Sequence, residues 1–222
     1  MAPNRIVILA NGVLPDLDAA RRILKDGDYI IGADAGAHHA RALQVRPDLV
    51  IGDMDSLGSA DRAWLEDAGV RLLEYPRDKN ETDLELALLH AIQLRVAEIV
   101  IMGALGARLD QTLANIALLA DDRLVESRCW LDDGAEQVFL CRTRAQLRGS
   151  AGDLVSLLPW GVPAVGVHTS GLKWPLSVDT LRPDRSRGVS NELLGELATI
   201  SVESGALLIV HRRQQGDALP GT

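Results

Sequence analysis

Five strand-length apolar runs alternate with stretches of helical period along the first half of the chain, and no other feature narrows the possible folds as much. The runs occupy residues 6–10, 29–33, 49–51, 70–75 and 99–102. Helical stretches follow them at 18–25, 37–43, 60–68, 82–92 and 109–120. Near-solid apolar strands separated by amphipathic helices imply a mostly parallel sheet with both faces covered, a doubly wound α/β domain. The helix from residue 82 is the best specified. Thr82 and Glu85 form a T-x-x-E capping box, and Leu84, Ala87, Leu88, Ala91 and Ile92 make an apolar stripe.

Beyond about residue 122 the period changes. Short apolar segments at 137–141, 154–158, 164–168, 198–202 and 206–211 are separated by turn signals such as Asp132-Asp133-Gly134 and Ser204-Gly205. This spacing predicts a small antiparallel β-sandwich. The expected division is an α/β domain over 1–125 and a sandwich over 126–222, with a frayed polar tail from Gln214. Two cysteines, Cys129 and Cys141, fit buried apolar groups in a reducing cytoplasm rather than a disulfide scaffold. No run reaches the roughly 18 apolar residues of a membrane span. A formal charge of -8 lacks the basic footprint of a nucleic-acid binder, so neither membrane nor nucleic acid is an expected partner.

The chemistry concentrates in aspartates at strand ends. PDLVIGDMDSL, residues 47–57, ends its apolar run in a glycine and then delivers Asp53 and Asp55. Asp34, Asp83 and Asp110 likewise follow or lie near the ends of apolar runs, and this fold gathers such positions along one edge. Each alone reads as a helix cap or turn residue. Together they pose an electrostatic problem: two carboxylates about 5 Å apart at an effective dielectric near 20 repel by roughly 3 kcal/mol. A hard dication relieves that cost, and Mg²⁺ suits it, taking one or two carboxylates together with phosphate oxygens. The loop GALGARLD at 103–110 offers glycines, a helix start and Arg108, which fits either a polyphosphate or a plain tight turn. Arg77 and Lys79 read as phosphate contacts or as solvated charges. Trp174 reads as core filler or a stacking surface. Ser190-Asn191 is uninformative by itself, and the five histidines have no zinc spacing.

Taken in order, ADAGAHHA at 33–40, PDLVIGDMDSL, KNETDLELAL at 79–88, GALGARLDQTLANI at 103–116 and TSGLKWPL at 169–176 with VSNE at 189–192 resemble the thiamine pyrophosphokinase family. The resemblance implies transfer of the pyrophosphoryl group of ATP to thiamine, releasing AMP, in a cytoplasmic homodimer whose active sites are shared between subunits. It implies Asp53, Asp55 and Asp83 as the catalytic carboxylates that hold Mg²⁺ and organise the phosphates. Asp34, Lys79, Thr82, Gly103, Gly106, Arg108 and Asp110 would meet ATP, with Arg108 also catalytic. Trp174, Ser190 and Asn191 would hold thiamine. Departures from the family pattern stand at Ala35 and Ala107, where glycine is usual, and at Gln111, where histidine is usual. The aspartates do not discriminate thiamine from a hydroxymethyl pterin as acceptor. The Asp-x-Asp of a phosphatase would be expected after the first strand, not the third.

Overall fold

The computed structural model describes residues 3–106 and 108–214. Contacts divide the chain into two units, Met1–Gly134 and Ala135–Thr222.

The first unit runs β1 (Arg5–Leu9), α1 (Leu17–Ile23), β2 (Tyr29–Ala33), α2 (Ala37–Leu43), β3 (Leu49–Gly52), α3 (Ser59–Asp67), β4 (Arg71–Glu74), α4 (Asp83–Gln93), β5 (Glu98–Met102), α5 (Leu109–Ala117) and β6 (Arg128–Asp132). Its strands lie side by side as β6-β5-β1-β2-β3-β4, and every pairing among them is parallel. The central strands are buried along their whole length, as their uninterrupted Ile, Val and Leu content requires. Caps set the helix starts. Asp16 accepts the N–H groups of Asp18 and Ala19 ahead of α1, and the Thr82 hydroxyl accepts that of Glu85 in α4. On α4, Leu84, Leu86, Ala87, Leu88 and Ala91 are buried, each leucine stabilising the unit by about 1.5–3 kcal/mol. The chain steps outward from β1 to β4, then returns to the other side of β1 with β5. The strand order therefore reverses between β1 and β5, where doubly wound sheets open a crevice at their carboxyl ends.

The second unit holds two antiparallel sheets. One is β12 (Asn191–Glu192), β9 (Leu154–Pro159), β14 (Leu207–Arg212) and β7 (Glu136–Cys141); the other is β11 (Asp179–Leu181), β10 (Ala164–Ser170), β13 (Leu197–Ser201) and β8 (Arg144–Arg148). Val155, Leu157 and Ile209 from the first pack with Leu147, Val167, Leu181 and Ile200 from the second in one core. The two-layer sandwich and the doubly wound sheet agree with the sequence expectation.

Several elements differ from it. Strand β6 has no strand pattern of its own, because RCWLD carries only a three-residue apolar stretch between charges; it forms by adding in parallel to β5. Strands β8, β11 and β12, short or polar, likewise lie outside the apolar segments that the sequence marks. Helix α5 stops at Ala117 and tightens into a 3₁₀ turn over Leu118–Ala120. Gln214 does not fray: its backbone N–H donates to Asp153 Oδ1 and its side chain to the Gly152 carbonyl. The rest of the expected tail lies outside the described residues. Among the described residues, no helix is long and apolar enough to cross a membrane.

Candidate active site

Three segments converge at the carboxyl ends of β2 and β3. Strand β2 hands over to Asp34, which opens a 3₁₀ turn (Asp34–Gly36) from a left-handed backbone, φ 47°. Strand β3 ends at Gly52 and is followed by Asp53. Met54, at φ 61°, drops its side chain into the core beside Val50 and Leu65, leaving the flanking aspartates at the surface of the turn. Asp83 opens α4. Carboxylate oxygens of Asp34, Asp53 and Asp83 all lie within 4.8 Å of one another. Gly52 makes room for this: a Cβ there would sit 2.8 Å from Asp34 Cβ and 3.2 Å from Asp83 Oδ1.

The cluster carries one cation of its own. Lys79 Nζ lies 3.0 Å from Asp83 Oδ1 and 3.5 Å from Asp53 Oδ2, with its side chain only 12% exposed. It is thus no solvated surface charge. The N–H of Asp55 donates to Asp53 and, with Lys79 beside it, holds that carboxyl below the ordinary range. Burial works against the Lys79 charge, but Asp83 and Asp53 outweigh it and raise the ammonium. Asp34 is pushed the other way: burial raises its carboxyl, and the charges of Asp83 and Asp53 add to this against the N–H of Ala35. Its Oδ1 is buried without a hydrogen-bond partner. Three carboxylates with oxygens this close, one of them carrying a buried, unpartnered oxygen, are a donor set that fits Mg²⁺.

The expected ligand set is brought together only in part. Asp53 and Asp83 meet, and Asp34 joins them. Asp55 stays outside that trio of oxygens: its Oδ2 lies 2.7 Å from Arg77 Nη2 and its Oδ1 accepts the Ser56 hydroxyl, while its backbone and side chain both interact with the Asp53 carboxylate.

At the switch point, the loop after β5 is tied down on both sides. The Gly12 N–H donates to the Gly103 carbonyl at 2.5 Å and the Val13 N–H to that of Leu105 at 3.1 Å. From α5, the Thr112 hydroxyl donates to the Gly106 carbonyl and the Asn115 amide to that of Ala104. Gly103 has φ 65°, and a Cβ on it would stand 2.5 Å from the Ala10 carbonyl oxygen, so the close crossing of the β1 and β5 loops needs glycine. Arg108 holds Asp110 bidentately, at 2.5 and 3.1 Å, with both side chains exposed. Ala107 lies outside the described residues.

In the second unit Trp174 is 53% exposed, which removes core filler as its role. Lys173 Nζ stands 4.7 Å from the centre of its ring and also pairs with Glu192. Asn191 is buried and grips the tryptophan main chain: its Oδ1 accepts the Trp174 N–H and its Nδ2 donates to the Trp174 carbonyl. Ser190 is exposed, at φ 59°.

Sequence reasoning missed Gly52 and His39. The glycine in GDMD was visible, but its closeness to Asp34 comes from neighbouring strands. His39 Nε2 lies 3.0 Å from the Gly12 carbonyl, a contact between residues 27 apart that no local pattern announces.

Models of known families match in the same order as the two units. "Thiamin pyrophosphokinase, catalytic domain" matches residues 20–131 and "Thiamin pyrophosphokinase, vitamin B1 binding domain" residues 142–207. The chain is 28% identical over 182 residues to the thiamine pyrophosphokinase of Bacillus subtilis (strain 168), covering 81% of this chain and 85% of that protein. It is 27% identical to thiamine pyrophosphokinase 1 of Arabidopsis thaliana, over 77% of this chain and 67% of that one. Among solved structures, the thiamin pyrophosphokinase of Geobacillus thermodenitrificans superposes with a TM-score of 0.82 at 25% identity, covering 96% and 99% of the two chains. The Bacillus subtilis structure shares the fold with a TM-score of 0.86 at 24% identity, covering 95% and 99%. With both family models matched along a two-unit fold of this kind, the chain belongs to the thiamin pyrophosphokinase family.

Proposed function

We propose that this chain transfers the pyrophosphoryl group of ATP to the hydroxyethyl oxygen of thiamine, giving thiamine diphosphate and AMP. The observation that carries this reading is the meeting of Asp34, Asp53 and Asp83 at the strand ends, with an orphaned oxygen on Asp34. The family's name supplies the acceptor. Asp53 and Asp83, with Asp34, would hold Mg²⁺, and Asp55, beside Asp53 and paired with Arg77, would complete the set. Bound there, the cation supplies positive charge against the triphosphate and the carboxylates.

The thiamine hydroxyl oxygen attacks the β-phosphorus in line with the bond to the oxygen bridging it to the α-phosphate. The new O–P bond forms as that bridging bond breaks, AMP leaves with the bridging oxygen, and the hydroxyl proton passes to solvent or a neighbouring carboxylate. Such a transfer asks little covalent work of the protein and much positioning. Lys79 restrains Asp53 and Asp83 and offers its ammonium to a phosphate oxygen. Thr82 fixes the start of α4 and so the place of Asp83. The loop through Gly103 and Gly106 brings backbone close to the nucleotide, while Arg108, oriented by Asp110, presents a planar donor fork. Trp174 offers an exposed face to the thiamine ring, Asn191 sets the tryptophan's backbone, and the exposed Ser190, next in sequence to Asn191, would contact thiamine.

In this reading the first unit handles nucleotide and metal and the second handles thiamine. The protein works as a cytoplasmic homodimer in which each active site draws on both subunits. The test is AMP release with ATP and Mg²⁺, with thiamine or a hydroxymethyl pterin as acceptor. Release that requires thiamine supports the reading; release only with the pterin, or none with either, refutes it.

A further inference from the structure

We infer that His39 is a positioning residue for the nucleotide loop: its imidazole holds the backbone at Gly12 and, through it, the loop over residues 103–106 at the point where the strand order reverses. This rests on the reading above that the loop receives the phosphates of ATP.

His39 projects from α2 and is 7% exposed. Its Nε2 is 3.0 Å from the Gly12 carbonyl oxygen, which can only accept, so Nε2 carries the hydrogen. Burial, with the neighbouring His38, lowers the imidazole below its ordinary range, which disfavours a second ring proton. Gly12 passes the restraint on, since its own N–H donates to the Gly103 carbonyl, with the Val13 and Leu105 bond beside it. The ring also lies against the loop directly: a Cβ on Gly103 would stand 3.2 Å from His39 Cδ2 and 3.3 Å from Nε2. Three segments distant in sequence therefore close on one another, and the imidazole is both wedge and donor among them.

The neighbouring histidine extends the arrangement toward the acidic cluster. The His38 ring lies 3.8 Å from that of His39, and its Nδ1 donates to the Ala35 carbonyl at 2.5 Å, inside the turn that carries Asp34. One pair of adjacent side chains thus ties α2 to the nucleotide loop on one side and to the carboxylate turn on the other.

Two substitutions separate the donor from its bulk. His39→Gln keeps an N–H at comparable reach, and His39→Leu keeps an apolar side chain without it. One hydrogen bond predicts that His39→Leu raises KM for ATP about five- to tenfold. KM for thiamine and kcat should stay within about twofold, and His39→Gln should stay close to the parent in all three. Amide exchange gives a second readout: Gly12 and Val13 should exchange faster in His39→Leu and at the parental rate in His39→Gln. An unchanged KM for ATP in His39→Leu, or kcat and both KM values moving together in both variants, overturns the inference. Failure of the functional reading shows separately, as an unsubstituted protein that releases no AMP. In that case the amide exchange decides whether His39 holds the loop, and unchanged rates at Gly12 and Val13 in His39→Leu overturn it.

Discussion

Replacing Asp34 by asparagine should make the metal-free protein more stable and the enzyme inactive. Asp34 faces Asp53 and Asp83 with oxygens within 4.8 Å, and at an effective dielectric near 20 each such pair repels by about 3 kcal/mol. Lys79 pairs with Asp53 and Asp83 and offsets part of this, and solvent at those two partly exposed groups screens more. A net relief of about 1–3 kcal/mol remains. For a chain of this length each kcal/mol moves Tm by about 2–4 °C, so Asp34→Asn should melt about 2–12 °C higher without metal. The pH dependence follows from the direction of the shift. The Asp34 carboxyl is raised in the folded state, so the fold binds its proton more tightly than the unfolded chain does. Stability is therefore lost as pH rises from the unfolded value through the raised one, and the variant escapes that loss. The gap between variant and parent should open as pH rises through the raised value and close as pH falls toward the ordinary value of 3.8. Thermal unfolding from pH 4 to 8, with and without Mg²⁺, reads the stability, and AMP release reads the activity. A variant that melts lower than the parent in the absence of metal, or that keeps full turnover, refutes the reasoning.

Three further outcomes are expected. The buried Asp153 and His211 pair in the sandwich, 2.6 Å apart, has the opposite sign. Burial opposes the Asp153 charge, but the N–H groups of Ser150 and Gln214 and the His211 ring outweigh it and lower the carboxyl; its stability is present above 3.8 and lost as pH falls through the depressed value. Asp153→Asn should cost about 3 kcal/mol at neutral pH, read by urea unfolding of variant and parent. Trp174→Ala should leave Tm unchanged, because the ring is exposed, while raising KM for thiamine and sparing that for ATP; steady-state kinetics with each substrate varied in turn would check it. Gly103→Ala puts a Cβ 2.5 Å from the Ala10 carbonyl at a φ of 65° and should cost about 1–3 kcal/mol, measured as a fall in the urea midpoint.

How far the fold was legible depends on where the pattern is local. Strands β1, β2, β3 and β5 were readable because a strand buried on both faces must be apolar throughout, and Thr82 was readable because a cap acts within four residues. Strand β6 was not, since RCWLD gains its strand conformation from the open edge of β5 rather than from its own composition. Trp174 could not be assigned from sequence between core and surface; its exposure follows from the turn held by Asn191, seventeen positions away.

The same division runs through the candidate site. From residues alone came the supply of carboxylates at strand ends, the glycine loop after β5 and the two-unit order, because a parallel sheet sends every strand's end to one edge. Which carboxylates share a pocket was decided by tertiary structure. Asp34 turns inward from a left-handed backbone beside a strand neighbour that has no Cβ, whereas Asp55 lies beyond Met54 and is taken by Arg77. A side chain's direction past the end of a strand depends on one or two backbone angles and on what the adjacent strand leaves room for, and neither is written in the spacing of the residues.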